Sequence, residues 1–103
     1  MGLYKVAEVE EAQKVAEGIL EGIGRDTLAE IEATNIMQLV GNGVSMSVSH
    51  TMYSRLEVQL MQSLHYRIRM YRFNPIGRVD RMQELPYVEN GRLQETIKEL
   101  FNT

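Results

Sequence analysis

His65-Tyr66-Arg67-Ile68-Arg69-Met70-Tyr71-Arg72-Phe73, followed by Asn74-Pro75-Ile76-Gly77, is the stretch on which the reading of the fold turns. Tyr66, Ile68 and Met70 alternate with Arg67 and Arg69, the period of two of a strand with one face on a core and one in water. Asparagine first, proline second and glycine fourth suit a type I turn: proline presets its own φ, and the asparagine side chain can bond the backbone ahead. The spacing predicts a strand with a hard stop after Phe73. Beyond the turn, residues 78–85 either pair back as a short return strand or run out as an irregular connection. Pro86 limits any extension and holds Leu85 extended.

Upstream of this strand the apolar spacing reads as helical. Over residues 5–23, Val6, Val9, Ala12 or Gln13, Ala16, Ile19 or Leu20, and Ile23 recur at steps of three and four with glutamates between them, and Gly24 supplies a C-terminal cap. A second helix is expected from Thr27, which forms a Thr-x-x-Glu capping box with Glu30. Its apolar side is Ala29, Ala33, Ile36, Met37 and Val40, and Gly41-Asn42-Gly43 ends it as an interhelical loop. Ser45 or Ser47 caps a third helix to about Leu64, with Val48, Met52, Leu56, Leu60 and Leu64 at steps of four. Downstream, Asn90 caps a last helix carrying Leu93, Ile97, Leu100 and Phe101. The expectation is an α+β fold: three helices, a short strand or hairpin and a C-terminal helix in one small domain, residues 1–103.

Composition narrows the functional classes. At 44% hydrophobic and 24% charged over 103 residues, the chain has the makeup of a soluble globular domain. No apolar run approaches the roughly 20 residues that span a bilayer. Met1-Gly2-Leu3-Tyr4-Lys5-Val6 lacks the basic-then-apolar layout of a signal peptide, so a cytoplasmic location is expected. The absence of cysteine removes disulfides, thiolate metal sites and cysteine nucleophiles. Seven methionines serve as core filler or as an adaptable binding surface.

The net charge of −3 conceals an asymmetry. Residues 1–50 hold three basic and eight acidic side chains, whereas residues 51–103 hold eight basic and six acidic ones. Arg67, Arg69, Arg72, Arg78 and Arg81 form the candidate interaction surface, and acidic partners for them are available in the first half of the chain or in a second subunit. Gly18 and Gly22 lie four apart on the first helix, each costing ~1 kcal/mol in propensity relative to alanine. They are the candidate positions of close helix packing, within one core or between subunits.

No catalytic, cofactor-binding or metal-ligating constellation is expected. His50 and His65, placed at opposite ends of the third helix, would stand roughly 20 Å apart at helical rise, too far to share an ion. The serines at 45, 47, 49 and 54 lack a Gly-x-Ser-x-Gly elbow. For Gly41-Asn42-Gly43 no preceding strand is evident in the sequence, and no Gly-Lys-Ser/Thr of a phosphate loop follows.

Two resemblances add expectations. The run from Leu39 to Met52, with Gly43-Val44-Ser45 at its turn, resembles a helix-turn-helix. In that reading the following strand and turn form the wing of a winged-helix domain, with Arg67, Arg69, Arg72 and Arg78 on phosphates. Tyr71-Arg72-Phe73-Asn74-Pro75, preceded by a helix through Thr51, Leu56 and Leu60 and followed by Glu89-Asn90-Gly91-Arg92-Leu93, resembles the C-terminal, non-catalytic part of patatin-like phospholipases. That family's catalytic serine and aspartate motifs and its glycine-rich oxyanion hole have no counterpart here. The resemblance therefore implies a fragment or a small relative reused for assembly, with no catalytic residue carried over. The expected function is a non-catalytic interaction protein that associates with itself or another protein. A winged-helix DNA-binding regulator and a fragment of a lipid acyl hydrolase are the alternatives.

Overall fold

The computed structural model describes residues 6–39 and 41–102. Two helices, α1 (Val6–Ile23) and α2 (Arg25–Glu30), lead into five strands and a last helix. The strands are β1 (Thr34–Leu39), β2 (Gly43–Ser47), β3 (Arg55–Leu60), β4 (Tyr66–Phe73) and β5 (Val79–Val88), and α3 (Leu93–Phe101) closes the fold. Every strand pairs antiparallel with the next, giving one five-stranded meander in the order β1-β2-β3-β4-β5. The α+β class is as expected. The strand content is not: a sheet of five strands replaces the expected short strand or hairpin.

The strand that anchored the reading is β4. Its burial alternates as expected, with Tyr66, Ile68 and Met70 buried and Arg67, Arg69 and Tyr71 half-exposed. The Asn74 carboxamide oxygen accepts from Ile76 N at 3.1 Å and from Arg78 N at 2.9 Å, and Gly77 takes a φ of 85°. Type I turns followed by a left-handed glycine commonly join antiparallel strands, because their twist matches that of the ladder. Between the two readings of residues 78–85 the structure decides for the return strand, which continues through Pro86 because β5 is a sheet edge where a missing N–H is tolerated.

The expected second and third helices are corrected. Helix α2 covers only residues 25–30, and Thr27 lies inside it, fully buried, so it caps nothing; Gly24 is the N-cap and no side chain bonds there. Ile36 and Met37 fall in β1, and Val40 lies outside the described residues. Gly41 and Asn42 have φ of 93° and 65°, the two positive values that a primed hairpin turn demands, so they join β1 to β2 rather than two helices. Residues 45–64 contain most of β2, a connection and β3 in place of a helix. Their apolar residues at steps of four satisfy a period of two equally well, and Val44, Met46 and Val58 complete the alternation. The recognition helix of the helix-turn-helix resemblance and the helix expected over residues 51–60 from the patatin-like resemblance are thus strand and loop.

All of the helical covering lies on one side of the sheet. Val44, Met46, Leu56, Val58, Ile68 and Met70 point to that side and are almost wholly buried against Ala16, Ile19 and Ile23 of α1 and Leu93 and Ile97 of α3. Gly24, with φ of 90° and its N–H bonded to Leu20 O at 3.0 Å, ends α1 as expected. The α2 and α3 helices are tied by Gln94 Nε2 donating to the buried Thr27 Oγ1 at 3.2 Å. Asn90 does not cap α3: Arg92 occupies that position without a side-chain bond. Among the described residues no helix is long and apolar enough to cross a membrane.

Candidate functional site

No described element covers the second face of the sheet. The register brings Met37, Ser45, Glu57, Arg69 and Glu84 into one row across it, and Ser47, Arg55, Tyr71 and Met82 into the next. Within these rows Arg69 Nε donates to Glu84 Oε1 at 2.6 Å and the Tyr71 hydroxyl donates to Glu57 Oε1 at 3.0 Å. Arg67 donates to Gln59 in the neighbouring row, and Arg55 lies 5.9 Å from the Phe73 ring centre. The bond to Glu84 pushes the Arg69 guanidinium above its ordinary range. Burial, reinforced by the bond to Glu57, pushes the Tyr71 phenol up. Both partners of the Arg69–Glu84 pair are about one-third exposed, so its contribution is that of a surface pair, roughly 0–1 kcal/mol. Met37, Phe73 and Met82 add exposed apolar area to the same face.

Of the five arginines expected on one surface, only two share this face. Arg67 and Arg69 point outward from β4, whereas alternation places Arg72 with Met70 on the helix side, where its Nε donates to Asp80 at 2.8 Å and its guanidinium is raised by that bond. Arg81, paired with Arg72 in register, lines a cleft on the helix side with Met70 and Gln83. Arg78 sits at the exposed hairpin end. The glycine pair is likewise divided. A Cβ on Gly22 would touch Leu93 at 3.4 Å, ordinary contact, while one on Gly18 would meet nothing within 4 Å among the described residues.

The cleft on the helix side is a feature that sequence spacing missed. Its lining comes from the connection at residues 48–54, from β4 and β5, and from α3, with a volume of about 450 Å³. His50 stands at its wall, its ring 5.8 Å from that of Tyr53 and 5.1 Å from that of Phe101. Residues so far apart in the chain leave no local motif; only the register of β4 with β5 and the docking of α3 bring them together.

Two further polar arrangements lie outside the cleft. His65 Nδ1 and the Ser63 hydroxyl are hydrogen-bonded across the β3–β4 turn, and His65 stacks on Tyr87 at 4.3 Å. A serine nucleophile also needs a group orienting the base and donors for the oxyanion; among the described residues no carboxylate bonds His65. Ser45 Oγ is buried in the middle of the open face without a hydrogen-bond partner among the described residues, between Met37 and Glu57 in register. Among the described residues no group of three or more histidine, aspartate or glutamate side chains is placed to hold a metal ion.

The site and fold define a small α+β domain with a one-sided antiparallel sheet. No family model matches the chain, and no curated protein or solved structure is significantly similar to it.

Proposed function

We propose that the protein is a non-catalytic assembly module whose copies associate head to tail, the acidic back of α1 in one copy meeting the arginine-bearing open sheet face of the next. The observation that carries this reading is the placement of charge. Helix α1 buries Ala16, Ile19 and Ile23 against the sheet, so Glu10, Glu11, Glu17 and Glu21 are exposed on its far side, with Lys14 the one base among them. Arg55, Arg67 and Arg69 project from the opposite side of the molecule, with Glu57 and Glu84 between them. Surfaces on opposite sides of one chain cannot neutralise each other within that chain; they meet only between copies. Gly18, on the exposed back of α1 with no described neighbour, leaves room for a close approach from outside.

A contact between two different surfaces is heterologous and builds rings or open chains rather than a closed two-fold dimer. The test is light scattering after size exclusion across concentration and ionic strength. Association should weaken as salt rises, since exposed charges are screened over about 8 Å at physiological strength. Reversal at Arg69 would align a third carboxylate with Glu57 and Glu84, so Arg55→Glu with Arg67→Glu is the cleaner variant. It should be monomeric and should re-associate when mixed with a Glu17→Arg, Glu21→Arg variant. A parent chain that stays monomeric at low salt, or reversals that change nothing, would sink the proposal.

A further inference from the structure

We infer that the cleft between residues 48–54, strands β4 and β5 and helix α3 binds a small carboxylate with an apolar body. The volume of about 450 Å³ lies within the roughly 300–1,000 Å³ of small-molecule sites. Met52, Met70, Leu85 and Leu100 supply apolar wall, and methionine adapts to varied shapes.

The polar lining of the cleft comes from His50, Tyr53, Arg81, Gln83, Thr96 and Glu99. His50 Nδ1 accepts from Met52 N at 3.0 Å, which places the ring proton on Nε2. That atom is buried and has no hydrogen-bond partner among the described residues, a state that costs free energy. The Tyr53 hydroxyl donates to Gln83 Oε1 at 3.1 Å, so the Gln83 amide nitrogen is left to donate elsewhere. Among the described residues Arg81 makes no ion pair; its Nη1 rests 3.9 Å from Met52 Sδ. Among the described residues Glu99 is the only carboxylate lining the cleft, and no ion pair joins it to Arg81. His50, Arg81 and Gln83, three donor-bearing residues of separate origin lining a cleft with an apolar wall, favour a ligand that accepts hydrogen bonds and carries negative charge. A guanidinium holds a carboxylate by two parallel bonds, which assigns the head group to Arg81 and the body to the methionine and leucine wall. This site lies on the helix-covered side, so it does not depend on assembly through the open face.

The experiment is calorimetric titration of the full chain with 4-phenylbutyrate and decanoate, each compared with the alcohol of the same skeleton, together with amide chemical-shift mapping. The expected result is binding of at least one acid, at least tenfold tighter than its alcohol, with shifts centred on residues 50–53, 81–85 and 96–100. Arg81→Gln, at an exposed position, should keep the parent circular dichroism spectrum and weaken the acid at least tenfold. His50→Phe keeps the ring packing but removes the N–H and should also weaken it. No binding at millimolar acid, shifts centred elsewhere, equal affinity for acid and alcohol, or an unchanged affinity in Arg81→Gln would each overturn the inference.

Discussion

Replacing Gly43 by alanine should destabilise the sheet at its centre. Gly43 opens β2 and pairs with Gln59 of β3. A Cβ built there would stand 2.7 Å from the Val58 carbonyl oxygen and 3.2 Å from Gln59 Cα. Both obstacles are backbone, so no side chain can swing aside; the two strands must separate by a few tenths of an ångström. That movement strains the Leu60 N to Asn42 O bond of 2.8 Å and the adjoining Val44–Val58 pair, both members of which are buried in the core. Overpacking of this kind costs about 1–3 kcal/mol, and the lower unfolded-state entropy of alanine returns about 0.5–1 kcal/mol. A net loss of about 1–2 kcal/mol should lower the thermal midpoint by roughly 5–15 °C in a domain of this size. Thermal and urea unfolding followed by far-ultraviolet circular dichroism measure it. A Gly43→Ala chain as stable as the parent would refute the close β2–β3 approach and the register from which it is derived.

Gly18→Ala should act in the opposite sense: the added methyl meets no described atom, so the monomer should gain about 0.5–1 kcal/mol in urea unfolding, while light scattering should show weaker association if a second copy approaches this point. For Tyr71, the phenol pKa is raised in the folded chain, chiefly by burial and then by the bond to Glu57. Its stabilising contribution is therefore complete below the ordinary tyrosine range and is lost as pH rises through the higher folded value. Alkaline difference absorbance should show a late-ionising phenol component in the parent that is lost in Tyr71→Phe; a titration curve whose late part is unchanged by Tyr71→Phe would contradict the half-buried Tyr71–Glu57 bond.

The parts of the fold legible in the sequence were those where a single period operates. Residues 66–70 alternate because β4 lies inside the sheet with one face on the helices, and Asn74-Pro75-Ile76-Gly77 has few turn conformations open to it. The α1 stripe was equally clear, since Ala16, Ile19 and Ile23 repeat only at helical steps. Residues 45–64 were ambiguous because four is a multiple of two: Met52, Leu56 and Leu60 satisfy a helix on every fourth position, and Arg55-Leu56-Glu57-Val58-Gln59-Leu60 satisfies a strand on every second. The pairing of β3 with β2 on one side and β4 on the other decides, a cooperative term that local spacing does not contain. Residues 34–39 offered still less, since this edge strand is exposed almost throughout. The candidate surface was half legible. Charge asymmetry was visible in the composition, but the division of five arginines between two faces follows from strand register, and the cleft around His50 and Arg81 follows from the docking of α3.

The open face and the two sheet edges are different invitations to association, and the structure treats them differently. Strand β5 is a ten-residue edge, long enough to template pairing with another chain. It carries Pro86, which cannot donate, and Asp80, Arg81 and Glu84 along its length, with an irregularity in its pairing beside Arg72 and Phe73. At the opposite edge β1 is broken by a register shift between Thr34 and Met37, within which Asn35 takes a φ of 50°. Proline, charge and bulges are the devices that keep edge strands from extending. With both edges blunted in this way, growth of the sheet by strand addition is disfavoured. The face offers instead alternating charges, aromatic surface at Tyr71 and Phe73, and flexible methionines at 37 and 82, a surface suited to side-chain docking. Association through the face leaves the ladder intact, so charge reversal at Arg55 and Arg67 should abolish it without altering the circular dichroism of the sheet. Loss of assembly through backbone disruption would instead change both readings together.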